Sequence, residues 1–308
     1  MLSRWTDTQS SLEHVLESIE RYQQEEVDPI TKAPLGANVD KVFTQNRTTT
    51  INGKRITYNL INLTLEHVNS AEANNQLLAA RIKNISYSIL VYSDGEHTQY
   101  IVDKAYGSAL KTVLRKINHY SDKGEIVENS VPISGDLFIW FVYMIREHSN
   151  EYLDDSNLLQ LSSITGFRGM TQDHSTLSAK GEKVLNLLSA LSFILENKSL
   201  SYVGLELYYG DEDEPDRFVI GMNVNGTIDV KPEQYVGQYE DHTPDERECI
   251  LKLKAFNEIV PQLVSAYMDA TQENTDTTWK KKKNDFYSSL GVDIQNELQT
   301  YIDLDAEN

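Results

Sequence analysis

SSITGFRGMTQDHSTLSAKG (162–181), EKVLNLLSALSFILEN (182–197) and SYVGLELYYGDEDEPDRFVIGMNVNGTIDV (201–230) make up the stretch on which the fold turns. Glu182 to Asn197 sets Val184, Leu187, Leu188, Leu191, Ile194 and Leu195 at intervals of three and four, the period of a helix with one apolar face. Tyr202 to Tyr209 and Phe218 to Val224 are short runs rich in β-branched and aromatic residues, split by an acidic loop. Asn225-Gly226 then offers the positive φ that a two-residue turn needs, so Thr227 to Val230 is expected to close a hairpin.

Outward from this stretch the chain alternates hairpin and helix signals. Ser10 to Gln24 reads as an amphipathic helix, and the segment DPITKAPLGAN (28–38) as a loop. Arg47 to Thr64 is β-rich around Asn52-Gly53, a second hairpin, and Asn69 to Ala80 reads as helical. Ile85 to Val91 and Thr98 to Val102 flank the turn Ser93-Asp94-Gly95, and Ser108 to Tyr120 is helical. LFIWFVYMI (137–145) is the longest apolar run; it is too short for a membrane span and reads as a buried central strand. Asp245 to about Ala270 is a long helix, capped by Thr243 with Glu246 and kinked at Pro261; Trp279 to Ile302 is another. The polar stretch Ser121 to Ser134 divides the chain. The expected fold is α+β, with mixed and antiparallel sheets flanked by helices in two halves. Residues 1–130 hold hairpins and helices, and 131–308 a sheet with closing long helices.

The 308 residues are 40% hydrophobic and 24% charged, the balance of a globular chain with a sizeable core. The first residues show no apolar signal segment, and a lone cysteine, Cys249, forms no internal disulfide and no multi-cysteine zinc site. A cytoplasmic protein is expected. The formal net charge is -19, which repels phosphate at long range. It is uneven: residues 201–308 hold 23 acids and 9 bases, the first 200 hold 24 acids and 19 bases. A nucleic-acid surface therefore belongs in the first two thirds or on the basic tract near the end.

Catalytic signatures are missing. None of the seven histidines lies two or four residues from another, so the sequence holds no local metal pair. Asp173-His174-Ser175 lacks a nucleophile elbow. No phosphate-binding glycine loop occurs, and Asp211 to Asp216 lacks the spacing of a calcium loop, so a solvated hairpin loop is expected there. Glu206-Leu207-Tyr208 has tyrosine where a nuclease Glu-x-Lys would have lysine. The sequence calls for no cofactor and no catalytic residue.

Its cations carry more. On the 108–120 helix Leu110, Val113, Leu114 and Ile117 share one face, while Lys111, Arg115 and His119 line another with Lys116 beside them, and no acid interrupts them. Arg81 and Lys83 lie upstream, and Thr165-Gly166-Phe167-Arg168-Gly169 is a turn presenting Arg168. Lys280, Lys281, Lys282 and Lys283 follow Trp279. A solvated charged face is the plain alternative for each.

The order of elements in ITGFRGMTQDHSTLSAKG, the leucine-rich helix, SYVGLELYYG, the hairpin RFVIGMNVNGTIDV and the closing helices resembles the cytosolic subunits of two-component phage-exclusion systems of the RexA and KwaB type. It covers roughly Leu137 to Tyr267 and rests on pattern. The resemblance implies a cytosolic, DNA-associating homodimer that works with a small multi-pass membrane protein. Three functions stay open: a non-enzymatic binder of DNA or a DNA complex in antiphage defence, an acidic interaction or DNA-mimic protein, and a metal-dependent nuclease with a dispersed site.

Overall fold

The computed structural model describes residues 1–121, 124–149, 151–153, 158–170, 176–180, 192, 200–211, 213–271 and 278–306. The helix expected at Glu182 to Asn197 and the Asp173-His174-Ser175 triplet lie outside the described residues. The fold is α+β, with antiparallel sheets and packed helices, and it divides into two compact units, Met1–Ser130 and Val131–Asn308.

In the first unit the chain runs β1 (Ser3–Asp7), α1 (Leu12–Glu20), β2 (Ala37–Lys41), β3 (Arg47–Ile51), β4 (Lys54–Val68), α2 (Leu78–Arg81), β5 (Ile82–Ser93), β6 (Thr98–Val102), α3 (Ser108–Ile117) and β7 (Ile126–Glu128). The sheet order is β2-β4-β5-β6-β1-β7, with β3 also pairing β4. Local chemistry accounts for the hairpins. Asn52 and Gly53 both hold positive φ (50° and 71°), so Ile51 pairs directly with Lys54. The β4–β5 ribbon then runs in unbroken register from Thr57 opposite Ser93 to Val68 opposite Ile82. Leu12, Val15, Leu16 and Ile19 of α1 and Leu110, Leu114 and Ile117 of α3 join Ile61, Leu63, Ile89, Val91, Tyr100 and Val102 in one core. Asn69 to Ala80 is not the helix its composition predicts. It holds one 3-10 turn (Ser70–Glu72) and the four residues of α2, with Leu77 and Leu78 exposed. No apolar face forms there to pay the ordering entropy of a longer helix.

Two buried carboxylates pin this unit. Asp7 accepts hydrogen bonds from Tyr100 Oη (2.8 Å), Tyr120 Oη (2.8 Å) and the backbone N–H groups of Gln9 and Ser10. Burial, and then the Asp7 charge, pushes the Tyr100 hydroxyl well above its ordinary range. Asp28 takes both arms of the Arg81 guanidinium (2.9 and 2.7 Å). That pairing holds the Asp28 carboxyl far below the usual carboxylate range, against the opposing effect of desolvation.

In the second unit α4 (Gly135–Glu147) precedes β8 (Leu159–Met170), β9 (Thr176–Lys180), β10 (Leu200–Tyr209), β11 (Asp216–Asn223) and β12 (Ile228–Val230). There follow α5 (Pro244–Lys254), a π turn (Ala255–Ile259), α6 (Val260–Thr271) and α7 (Trp279–Ala306). The sheet order is β12-β11-β10-β8-β9. Residues 137–145 are helical, so the expected central strand is corrected. Leu137 to Val142 are all buried because α4 lies between the β8–β10 strands and the helices α6 and α7. An apolar run buried on every side has no period to tell helix from strand. The deciding signal is Ser134, whose Oγ accepts the Leu137 N–H (3.2 Å), with Asp136 in the first turn. The long helix after Thr243 widens into a π turn ahead of Pro261, which lacks the N–H that would return to Asn257. Across that turn the buried Lys254 pairs with Glu258 (3.0 Å). Asp216 is no solvated loop acid. It is 3% exposed and accepts from Tyr235 Oη and from the Gln238 backbone and side chain.

Gly166, Gly204 and Gly221 stand in register across β8, β10 and β11. A Cβ on Gly221 would sit 2.5 Å from Tyr202 Oη and 2.7 Å from its Cε2, so the glycine makes room for a ring laid flat on the sheet.

Asp7→Ala leaves the Tyr100 hydroxyl and two N–H groups without their acceptor, Tyr120 keeping Ser10 Oγ (2.7 Å), and is expected to lower the urea-unfolding free energy of the first unit by about 2–4 kcal/mol; no change would mean the network is solvated. Because the Asp28 pKa is depressed on folding, its contribution is complete above the unfolded carboxylate value near 4 and fades as the pH drops below it. Arg81→Gln should therefore be destabilised at neutral pH and lose part of the native acid dependence, as read by unfolding curves between neutral and acid pH.

Candidate nucleic-acid interface

α3 carries the cations that the sequence places on one stripe, and the structure splits them. Its apolar face is fixed by Leu110, Leu114 and Ile117, and the helix ends where His119 takes positive φ (57°). Arg115 turns toward the loop before β7, where its Nε stands 3.4 Å from Glu125 Oε2 with both side chains largely buried (23% and 10% exposed). Lys116, one residue on, faces the other way. It lines a groove of about 270 Å3 with Tyr22, Leu65, His67, Ile85, Tyr87 and Val113. Lys111 is half-buried, Lys116 exposed, and among the described residues neither has a carboxylate partner.

Arg81, expected to join α3, does not reach solvent. It is 4% exposed and its donors are taken by Asp28 and by the carbonyls of Asn75 and Gln76. The site assignment for Arg81 is corrected on that ground: a guanidinium holding a buried carboxylate has nothing to offer a phosphate. Lys83 is exposed on β5 opposite His67, two residues before Ile85 on the same strand face. Lys104 completes the set and was missed from sequence; its Nζ lies over the Tyr87 ring at 5.6 Å. Its position after the β6 strand and ahead of α3 was the available signal. Lys83, Lys104 and Lys116 thus surround Ile85 and Tyr87. The acids nearby are Asp103, whose Oδ1 accepts the Ser88 N–H and whose charge bears on Tyr87, Glu26, which is 3.3 Å from His67 Nδ1, and Glu66, whose Oε2 accepts the Gly36 N–H.

The second unit holds the other two sets. Arg168 stacks over Tyr202 (5.6 Å), beside a hollow of about 670 Å3 lined by Tyr202, the Glu206–Arg217 pair, and the Asp229–Lys231 pair. Carboxylates there match the cations, which removes its attraction for a polyanion. In α7 the lysine run divides. Lys283 bonds Asp136 Oδ1, while Trp279 Nε1 (2.6 Å) and Tyr267 Oη (2.7 Å) reach Oδ2. Burial raises the Asp136 carboxyl, but the bonds from Lys283, Tyr267 and Trp279 outweigh it and hold it below its ordinary value. Lys280, Lys281 and Lys282 are exposed, with no carboxylate partner among the described residues.

Among the described residues no three histidine, cysteine, aspartate or glutamate side chains gather where they could hold a metal. Burial pushes the Cys249 thiol up to about 12, which leaves it an inert core residue. Glu206 is held in both arms of Arg217 (3.0 and 3.1 Å). No helix among the described residues is long and apolar enough to cross a membrane. No protein-family model matches this chain, and neither does any curated protein sequence.

Asp136→Ala removes the common acceptor for three donors and is expected to cost about 1–3 kcal/mol, freeing the start of α7. A red shift of tryptophan emission and faster amide exchange over residues 279–290 would report it; unchanged exchange would refute the anchoring role.

Proposed function

We propose that the chain is a non-enzymatic binder of DNA, or of a DNA-bound complex, in bacterial antiphage defence, acting in the cytoplasm with a small multi-pass membrane partner. The observation that supports contact with DNA is the group Lys83, Lys104 and Lys116 around Tyr87, cations without a carboxylate partner among the described residues in a chain of net charge -19. Lysines on rigid strand and helix track phosphate without reading sequence. Lys111 extends the surface across α3, and Arg115 positions the helix more than it binds. The defence role and the membrane partner rest on the order of elements between Leu137 and Tyr267.

Labelled-duplex anisotropy as a function of salt tests the DNA contact. Three phosphate contacts give a slope of log K against log salt of about -2.7 for duplex DNA. The combined change Lys83→Gln, Lys104→Gln, Lys116→Gln should flatten that slope and weaken all sequences alike. An absence of binding at low salt, or a variant with the native slope, would refute it. The acid excess of residues 201–308 favours a second reading, an acidic surface that occupies a basic partner. That reading requires salt-sensitive binding to a basic protein and none to the duplex.

A further inference from the structure

Around Tyr87 the first unit holds a slot as well as cations. Apolar side chains from three elements wall it, Leu65 of β4, Ile85 and Tyr87 of β5 and Val113 of α3, joined by Tyr22 from the stretch after α1. At about 270 Å3 the groove is near the small end of ligand sites. It stands on firm ground, because β4 and β5 pair without a break from Thr57 to Val68. Gln24 lines it too. Its Nε2 donates to the Glu66 carbonyl (2.6 Å), while its Oε1 is buried with no hydrogen-bond partner among the described residues. A buried acceptor left without a donor is costly, so this oxygen marks a place for an N–H that the chain does not supply.

The rim limits what fits such a place. Lys83, Lys104 and Lys116 stand around it, Lys104 with its Nζ over the Tyr87 ring. A purely apolar ligand leaves these three ammonium groups unanswered. A duplex answers them and leaves the slot empty, since its bases are stacked inside and show only their edges in the grooves. Glu26, Glu66 and Asp103 stand near the same surface, so the phosphate contacts are offset in part and the apolar walls have to supply the rest of the affinity. An unstacked base on a single strand brings both parts, a flat apolar body for the slot and a phosphate on either side of it for the lysines.

We infer that this groove takes one unpaired base of single-stranded DNA, with Tyr87 as its aromatic wall and Lys83, Lys104 and Lys116 on the flanking phosphates; this depends on the DNA contact proposed above and narrows it to a strand that is single or locally opened. Every base carries an N–H on its pairing edge, so a donor for the Gln24 oxygen comes with any of the four. In a duplex that edge is already taken by the opposite strand. Packing against an aromatic ring is likewise indifferent to sequence, because every base has a π-face. The groove therefore distinguishes an open strand from a paired one, and one base from another hardly at all.

Fluorescence anisotropy of the full chain with a labelled DNA strand of about ten nucleotides, alone and annealed to its complement, tests it. The single strand should bind about tenfold tighter or more, with a slope of log K against log salt of about -2.1 for three phosphates. Tyr87→Ala and, separately, Val113→Trp, which fills the groove from α3, should each bring the ratio of single-strand to duplex affinity down by about tenfold. Tyr87→Phe keeps the ring and should keep the ratio. Circular dichroism checks the fold of each variant, and the two groove changes come from different elements, so damage to one leaves the other to decide. Equal affinity for the two forms, or a preference for the duplex, overturns the slot and leaves the DNA contact standing. A single-strand preference that both groove variants leave untouched overturns it as well. Binding to neither form at low salt removes the DNA contact, and the slot with it.

Discussion

Positive charge is the scarce resource in this chain, and where each cation finds its carboxylate decides what the surfaces can do. With 47 acids to 28 bases, a lysine or arginine meets an acid by default. The buried cations obey this: Arg81 holds Asp28, Lys254 holds Glu258, Lys252 holds Glu248. Their pairing is what makes burial tolerable, since an unpaired ion in a low dielectric is costly. Places where lysines have no carboxylate partner among the described residues therefore stand apart from the rest. One surrounds Tyr87 in the first unit; another is the first turn of α7.

The two places are built differently. In the first unit the lysines come from three elements, β5, the loop after β6 and α3, and only the sheet and the α1–α3 core hold them together. Their common ground is the Tyr87 ring and its neighbours. In α7 the lysines are consecutive, and their direction is set by one acid. Asp136, itself in the first turn of α4, receives Lys283, Trp279 and Tyr267, so the strongest bonds of α7 lie at its start. Beyond Leu290 no described side chain of α7 is buried, and Asp293 is held by Arg146 of α4.

Much of the scaffold was legible because local signals and global packing agree. Asn52-Gly53 and Asn225-Gly226 mark turns whose strands follow directly, and the apolar spacing of Leu12 to Ile19 and of Leu110 to Ile117 gives the two core-facing helices. Where the hydrophobic pattern loses its period the reading fails. Leu137 to Ile145 is apolar all round, so only the Ser134 cap distinguishes helix from strand. Asn69 to Ala80 has helix formers without a face to bury, and the backbone takes turns instead. Charge pairing between distant residues leaves no local trace. Arg81 and Asp28 are far apart in sequence, and nothing near either tells of the other. Lys104 left only its place between β6 and α3 as a signal, because its value comes from a ring on another strand.

That difference in legibility bears on how far each charge pattern reflects selection for a partner. An isolated helix prefers acids first and bases last, by a few tenths of a kcal/mol to about 1 kcal/mol for each well-placed charge. α3 follows the rule, with no acid in its last turn and Arg115 and Lys116 placed there. Its cations are therefore explained in part by helix stability, whatever they bind. α7 breaks the rule at both ends, so intrinsic stability cannot be the reason for its sequence. Its anchor to Asp136 accounts for Lys283 alone. Lys280 to Lys282 at its start, and Asp303 and Asp305 at its end, oppose the helix they belong to, so the burial of Trp279, Phe286 and Leu290 and the pairs to Asp136 and Arg146 must hold it.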